Sequence, residues 1–388
     1  MGLHIAMLGW EFPPTITGGL GVHCFELVSS LGKLGIKVDL YLPLQKSTPV
    51  SPHPNVKIIQ VGGGNNVGAY GYAIREGVAD NYSRNLIGAI EDFAHLSLSA
   101  LKASATRYDL IHCHDWLTIS AGIMARNALH IPLVLTMHST EYDRNPVPWS
   151  WISDIESLGV KTADRTIAVS RKMKDSLVEK FRANAGKIHV IYNGIDVAKY
   201  RKKENCMRKD KLVLFLGRLT HQKGPEQFLR AAKKVYQHNK SARFLMVGEG
   251  GLLPRLISLS LELGIADRVS FWGFVPENEK RSIYSMCDVY VMPSVSEPFG
   301  ITALEAMASG TPCVISKNSG VSEIAKNCLL VDFWDVDEMA SQILALLRYP
   351  SMSRVMSSHE MTDAARLGWS ETAEKTIKVY NEVLRIRS

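Results

Sequence analysis

The sequence predicts an α/β protein built from two doubly wound, Rossmann-like domains. Short apolar runs alternate with stretches of helical period along nearly the whole chain. The alternation also starts afresh after a basic, polar segment at 199–211. Runs such as Leu212-Val213-Leu214-Phe215-Leu216 are apolar at every position, as strands of a parallel sheet covered on both faces must be. A chain of 388 residues has room for two such domains.

The first unit of the pattern is Ile5-Ala6-Met7-Leu8, then a loop with Pro13-Pro14 and Gly18-Gly19-Leu20-Gly21, then a helix from about Val22 to Leu34 and the strand Val38-Asp39-Leu40-Tyr41-Leu42. That order is a βαβ unit. Further strands are read at 110–113, 133–136, 166–169 and 189–192. The second series opens at 212–217 and continues with a helix over Pro225 to Val235 and strands at 243–248, 269–271, 289–292 and 313–315. The last helix carries Ala373, Ile377, Tyr380 and Leu384 as one apolar stripe and can pack on either domain.

Hydrophobic residues make up 46% of the chain and charged residues 21%, which excludes a disordered protein. No apolar run approaches membrane-spanning length, and Met1-Gly2-Leu3-His4-Ile5 lacks the basic start of a signal peptide. Six scattered cysteines without a CxxC pair read as reduced thiols of a cytoplasmic enzyme. The net charge of +7 is a thin surplus, partly collected between Lys199 and Lys211. With no nucleic-acid-binding motif beside it, that run reads as a solvated linker and nucleic acid is not an expected partner.

Ligands of open α/β sheets sit beyond the carboxyl ends of the strands, so the loops there carry the chemistry. The Gly18–Gly21 segment suits either a structural turn or a loop that approaches a phosphate or sugar. Arg218 and Lys223, in Gly217-Arg218-Leu219-Thr220-His221-Gln222-Lys223-Gly224, lie between a strand and a helix, where a guanidinium fork and a point charge suit a diphosphate. Glu297 and Glu305 stand eight apart with the second on a helix, and the backbone N–H groups of Phe299, Gly300 and Ile301 open that helix. Paired carboxylates of this kind occur in glycosyl chemistry. His112 and His114 are taken to point to opposite faces of their strand, so no metal is expected there, and Asp115 is expected to cap the helix that follows. His138 ends the next strand. Asp335-x-x-Glu338 reads as a capping box rather than a metal motif. The Gly62–Gly68 run is a surface connection or part of an acceptor site.

Taken together, Gly18-Gly19-Leu20-Gly21, His138, Arg218 with Lys223, and Glu297-x7-Glu305 resemble a retaining GT-B glycosyltransferase of the group 1 (family 4) class, over nearly the whole chain. Trp10-Glu11-Phe12-Pro13-Pro14, His112-x-His114-Asp115-Trp116-x-Thr118 and Arg218-Leu219-Thr220-x-Gln222-Lys223-Gly224 further resemble glycogen and starch synthases. Leu117 departs from the second histidine usual there in the bacterial synthases, which are also longer.

The resemblance implies an acceptor-side domain at 1–200, a nucleotide-sugar domain at 208–366 facing it across a cleft, and a helix at 369–388 crossing back to the first. It implies transfer with retention and without a metal or other cofactor. Arg218 and Lys223 would hold the diphosphate, Glu305 the ribose, and Glu297 and His138 the donor sugar. Gly18, Gly19 and Gly21 would approach the donor phosphate, while Gly248, Gly250, Phe274 and Val275 would border the nucleoside. The partners implied are ADP- or UDP-glucose and a growing α-glucan.

A second reading takes a lipid or cell-envelope acceptor, because Met173, Leu177 and Phe181 lie among Lys172, Lys174, Lys180 and Arg182 as in a helix that contacts a membrane surface. A third is a sugar-nucleotide epimerase of related fold. A NAD-dependent oxidoreductase is disfavoured, since neither opening loop shows GxGxxG.

Overall fold

The computed structural model describes residues 2–387 apart from 17, 46, 63–78 and 201–209, with backbone alone at 79–85 and 387. Most of the Gly62–Gly68 run and of the basic segment therefore lies outside the described residues. The chain divides into two compact units, Met1–Gly194 with Trp369–Ser388, and Ile195–Gly368.

The first unit holds β1 (His4–Leu8), α1 (Gly19–Lys33), β2 (Lys37–Pro43), β3 (Val56–Val61), α2 (Ala79–Ala103), β4 (Leu110–His114), α3 (Trp116–Leu129), β5 (Leu133–Met137), α4 (Glu141–Arg144), α5 (Ser150–Thr162), β6 (Arg165–Ala168), α6 (Arg171–Phe181) and β7 (Ile188–Val190). Its sheet is parallel, in the order β3-β2-β1-β4-β5-β6-β7, with Met7 beside Leu40 on one side and His112 on the other. β1, β4 and β5 are buried along nearly their whole length, which is why they read as continuous apolar runs.

The second unit holds β8 (Lys211–Leu216), α7 (Pro225–His238), β9 (Ala242–Val247), α8 (Leu253–Glu262), β10 (Val269–Gly273), α9 (Glu277–Met286), β11 (Val289–Met292), α10 (Ile301–Ala308), β12 (Cys313–Ser316), β13 (Leu329–Val331), α11 (Val336–Arg348) and α12 (Pro350–Ala365). The sheet order is β10-β9-β8-β11-β12-β13, again all parallel. α7 starts with Pro225 at its first position and buries Phe228, Leu229, Ala232 and Val235 on one face. The Phe228 ring meets Phe215 of β8 and Phe244 of β9 at centroid distances of 5.6 and 6.1 Å, the centre of this unit's core.

The expected architecture of two Rossmann-like parallel sheets is thus observed. In each sheet the order reverses beside its first strand, between β1 and β4 and between β8 and β11. Chain leaving the two strands at such a point turns in opposite directions and opens a crevice.

Four details differ from the sequence reading. β3 and β13 were not anticipated, because β3 breaks its apolar run with Lys57 and Gln60 and β13 is three residues long. α1 begins at Gly19 rather than near Val22, so three residues of the glycine segment form its first turn. The final helix, α13 (Trp369–Arg387), packs on the first unit as the resemblance implied, but its buried face runs through Ala373, Thr376, Tyr380 and Val383, with Ile377 and Leu384 at the margin rather than at its centre. Finally, the apolar face of α6 is closed off: Met173, Leu177 and Phe181 are buried in the first unit, which removes the observation behind the membrane-surface reading. No described helix is long and apolar enough to cross a membrane. Asp335 accepts from Glu338 N–H at 2.9 Å and caps α11 as expected.

The interior of the second unit also encloses Glu360 of α12, whose carboxylate accepts from Cys313 N–H at 3.2 Å at the start of β12. Burial pushes this carboxyl up from its ordinary 4.5 to about 8. The folded chain therefore holds a proton that the unfolded chain releases, and stability is lost as pH rises from the lower value through the higher one. Glu360→Gln keeps the acceptor and removes the titration. In urea unfolding at about pH 5 and about pH 8, the variant is expected to lose less stability across that interval than the wild type. Equal losses would show that Glu360 titrates alike folded and unfolded.

Candidate active site

The sequence-predicted residues fall into two groups, one at the carboxyl end of each sheet, and each is described within its own unit. In the first unit the decisive residue is Asp115, between β4 and α3. Its backbone sits at φ 58° and ψ 175°, a region that non-glycine residues rarely occupy and that costs about 1–3 kcal/mol. It does not cap α3 with its side chain, as the sequence suggested. Instead Asp115 Oδ1 accepts from His138 N–H at 2.6 Å and from Ser139 N–H at 3.3 Å. The carboxylate is spent on holding the turn after β5, and so on placing His138. Burial pushes the Asp115 carboxyl up to about 7 against the pull of Arg144 and the two N–H donors.

The expectation that His112 and His114 point apart is overturned. Side chains alternate along a strand, so residues two apart share a face, and the two rings lie 4.3 Å apart. His112 bonds Tyr380 Oη and Thr136 Oγ1, each at 2.7 Å, and ties α13 to the sheet. His114 Nδ1 meets His138 Nε2 at 3.1 Å. The sequence reading missed His23 of α1, whose ring lies 4.3 Å from that of His138. Burial lowers the pKa of His23 to about 4 and those of His114 and His138 well below 6.5. Gly18 precedes the first residue of α1, and Gly21 packs where a Cβ would lie 3.0 Å from Ile16, so at least that glycine has a packing role.

In the second unit Lys223 Nζ contacts Glu297 Oε2 at 2.6 Å, and Ser294 Oγ donates to the same oxygen at 3.1 Å. Glu297 follows β11, and its backbone is stitched to the turn after β12 through Asn318 and Gly320. Arg218 reaches Gln222 Oε1 at 3.1 Å, within the same loop as Lys223. The structure thus brings Lys223 and Glu297 together and leaves Arg218 nearby in sequence, on the loop leaving β8.

Gly300 takes φ 109° to begin α10, and Phe299 is fastened by its carbonyl, which accepts from Val321 N–H at 2.7 Å. Ala303 and Leu304 N–H turn back to Gly300 O at 3.1 and 3.5 Å, while the N–H groups of Ile301 and Thr302 precede any carbonyl the helix could offer them, which makes its start electropositive. Glu305, one turn on, is only 1% exposed and accepts from Tyr284 Oη at 2.8 Å. Burial raises its pKa, opposed chiefly by Lys280. Lys280 also pairs with Glu277, and Tyr200 donates to Glu277; this surrounding network carries no sequence signal that the motifs revealed. Gly248 N–H donates to Gly273 O at 2.8 Å, so the ends of β9 and β10 adjoin, with Phe274 59% exposed beyond them and Val275 buried. Gly250 lies against Leu219 of the Arg218 loop.

Comparison with known proteins identifies the chemistry. Residues 17–199 match the family model described as Glycosyltransferase Family 4, and 196–366 match that of Glycosyl transferases group 1. An uncharacterised glycosyltransferase of Methanocaldococcus jannaschii is 31% identical, covering 97% of this chain and 98% of the relative. The chain belongs to the group 1 glycosyltransferases. Among other relatives of this glycosyltransferase, a D-inositol 3-phosphate glycosyltransferase of Segniliparus rotundus is 28% identical over 97% of this chain and 87% of its own. A glycogen synthase of Mycobacterium tuberculosis is 28% identical over 97% and 94%. In fold, it resembles a sucrose-phosphate synthase from Thermosynechococcus elongatus, with a TM-score of 0.84 at 22% identity, covering 99% and 100% of the two chains. Anabaena HepE in complex with UDP-glucose is similar at a TM-score of 0.75 and 18% identity, covering 98% and 100%. These are GT-B glycosyltransferase folds, as the sequence reading expected of this chain.

The dual role of Asp115 is separable. Asp115→Ala and Asp115→Gly both release the turn that holds His138, and both are expected to lower transferase turnover. Only glycine also relieves the backbone, so Asp115→Gly should be the more stable of the two by about 1 kcal/mol in urea unfolding. Equal stability would mean that the residue is unstrained.

Proposed function

We propose that the chain transfers glucose from a nucleoside diphosphate glucose, ADP- or UDP-linked, to a hydroxyl of a growing α-glucan, with retention of configuration and without a metal ion. The observation that carries the donor side is the Lys223–Glu297 contact in the loops at the switch point of the second sheet, with Arg218 on the same loop as Lys223. Two cations and the start of α10 supply positive charge where open α/β sheets take their ligands. The leaving group is a nucleoside diphosphate, and negative charge grows on its β-phosphate as the glycosidic bond breaks. Fixed cations meet that charge more strongly in the transition state than in the ground state, which is what lowers a barrier. In this reading Glu297 and His138 contact the transferred sugar, and Glu305 holds the ribose. Gly248, Gly250, Phe274 and Val275 border the nucleoside, where the exposed Phe274 ring offers a face to the base. Gly18, Gly19 and Gly21 serve the donor phosphate.

The glycogen synthase among the relatives supports the α-glucan acceptor. The equally similar D-inositol 3-phosphate glycosyltransferase favours a second reading, a small phosphorylated polyol as acceptor. A cytoplasmic location belongs to the proposal and is supported by free thiols at Cys24, Cys113, Cys287, Cys313 and Cys328. An acceptor screen scored by release of nucleoside diphosphate separates the two acceptors. Conversion of the donor sugar without release would instead show an epimerase.

If the cations act on the leaving group, Lys223→Ala is expected to lower kcat by about 10²–10³, the range for loss of one such donor. Arg218→Lys should also be impaired, because a point charge does not replace a bidentate fork. Wild-type kcat and KM in folded variants would refute the assignment. Turnover is expected to persist in excess chelator; loss restored by Mg²⁺ or Mn²⁺ would refute metal independence. Glu305→Ala should weaken free nucleoside diphosphate and intact donor alike in calorimetry, by about 1.5–3 kcal/mol for a hydrogen bond to a charged group.

A further inference from the structure

The first unit gathers imidazoles in a way that positioning a sugar does not require. His23 of α1, His114 at the end of β4 and His138 after β5 each offer one ring nitrogen, and these nitrogens lie within 4.8 Å of one another. His23 Nε2 and His114 Nε2 are buried and have no hydrogen-bond partner among the described residues. Such a group costs free energy in a folded protein and needs a reason to persist. His23 supplies part of the reason. Its Nδ1 lies 2.7 Å from Asn193 Oδ1, an oxygen that only accepts, so Nδ1 carries the hydrogen. His23 Nε2 is therefore a bare lone pair aimed among other imidazoles. His112 is excluded from the set, since both its nitrogens are engaged by Tyr380 and Thr136. His114 Nδ1 and His138 Nε2 share a hydrogen bond of 3.1 Å, which leaves only one of these two rings a free lone pair, so an ion that takes both must displace that bond.

We infer that His23, His114 and His138 form a binding site for a first-row transition-metal ion such as zinc or cobalt. Imidazole suits these ions, and three histidines leave one coordination position for water or a small anion. Asn193 does for His23 what outer partners do for metal-bound histidines elsewhere: it fixes the tautomer and the ring orientation. Bond lengths of about 2.0–2.1 Å set tetrahedral ligand nitrogens roughly 3.3 Å apart, so nitrogens now within 4.8 Å of one another must draw together on binding. His138, at the rim of the cluster, is the one member of the three that keeps partial exposure. An ion that takes His138 withdraws it from the sugar. The site is thus inhibitory rather than catalytic, a consequence that rests on the proposed role of His138.

The test is titration of the full chain, stripped with chelator, by Co²⁺, read by calorimetry and by visible d–d absorption. One ion per chain is expected, with the band of a four- or five-coordinate centre. His23→Gln and His114→Gln should each weaken binding by at least about tenfold while the circular dichroism stays that of the wild type. Absence of the band, or binding undiminished in both variants, overturns the site. A thiolate-to-cobalt charge-transfer band that disappears in Cys313→Ser would place the ion on the buried Cys313–Cys328 pair and overturn it as well. Zinc should inhibit wild-type transfer and spare His23→Gln. Cobalt binding without zinc inhibition would uphold the metal site and count against the role of His138 alone, so the two readings fail separately.

Discussion

Two loops of the second unit pass so closely that one methyl group would collide. A Cβ at Gly248 would lie 2.0 Å from the Gly217 carbonyl oxygen, and one at Gly250 would lie 2.3 Å from that of Leu219. The approach is sealed by Leu219 N–H to Glu249 O and Leu252 N–H to Leu219 O, at 2.8 and 3.1 Å. It follows from the sheet. Parallel strands all end on the same side, so the loops leaving β8, β9 and β11 compete for one volume. Glycine is the only residue that lets two backbones share it. At Gly224 the same device recurs: φ is 68°, and a Cβ would stand 2.0 Å from Pro293 O at the end of β11. The Arg218–Lys223 loop is thereby clamped on both sides, and Lys223 is delivered to Glu297.

The first unit meets a similar demand by other means. Where the second uses glycine to avoid strain, the turn after β4 accepts strain at Asp115 and recovers it through hydrogen bonds. The carboxylate holds two N–H groups of the neighbouring turn, and Asp115 N–H itself donates to Thr136 O at 2.9 Å. A strained backbone persists only where its surroundings over-determine it. Here the surroundings are the adjacent strand end, and the backbone so fixed is that of His138.

These devices also explain what the sequence disclosed. The central strands were legible because burial on both faces leaves no polar position to blur them, as in Leu212 to Leu216. β3 was not, because an edge strand has a wet side. The carboxyl-end motifs were legible as residue types: cations after one strand, a carboxylate after another. Their pairings were not. Nothing in the spacing of Asp115 and His138 says that a carboxylate before a helix will turn to a different loop, since aspartate there ordinarily caps. His23 looks like any helix residue until β4 and β5 are placed beside it. The shared face of His112 and His114 was within reach of the strand period alone. The resemblance sets Gly248 and Gly250 beside a nucleoside, and the geometry adds a reason of its own, since the backbone approach there admits no Cβ.

The Lys223–Glu297 pair has a physical consequence for the proposed transfer. The lysine and glutamate side chains are 19% and 9% exposed, so each charge depends on the other for stabilisation lost with water. Removing one partner leaves the other a poorly solvated charge. A donor that brings a diphosphate to Lys223 would break the pair, at a cost, unless it also offers Glu297 a donor of its own. In the proposed transfer a nucleotide sugar would do both: its phosphate would take the ammonium, and its sugar hydroxyls would donate to the carboxylate, which already accepts from Ser294 Oγ. A free nucleoside diphosphate does only the first. The intact donor would therefore have an advantage at this site that neither half possesses, and the advantage would vanish once the sugar has left. On the proposed function, the pair would favour binding of substrate over retention of product, by the desolvation of one glutamate.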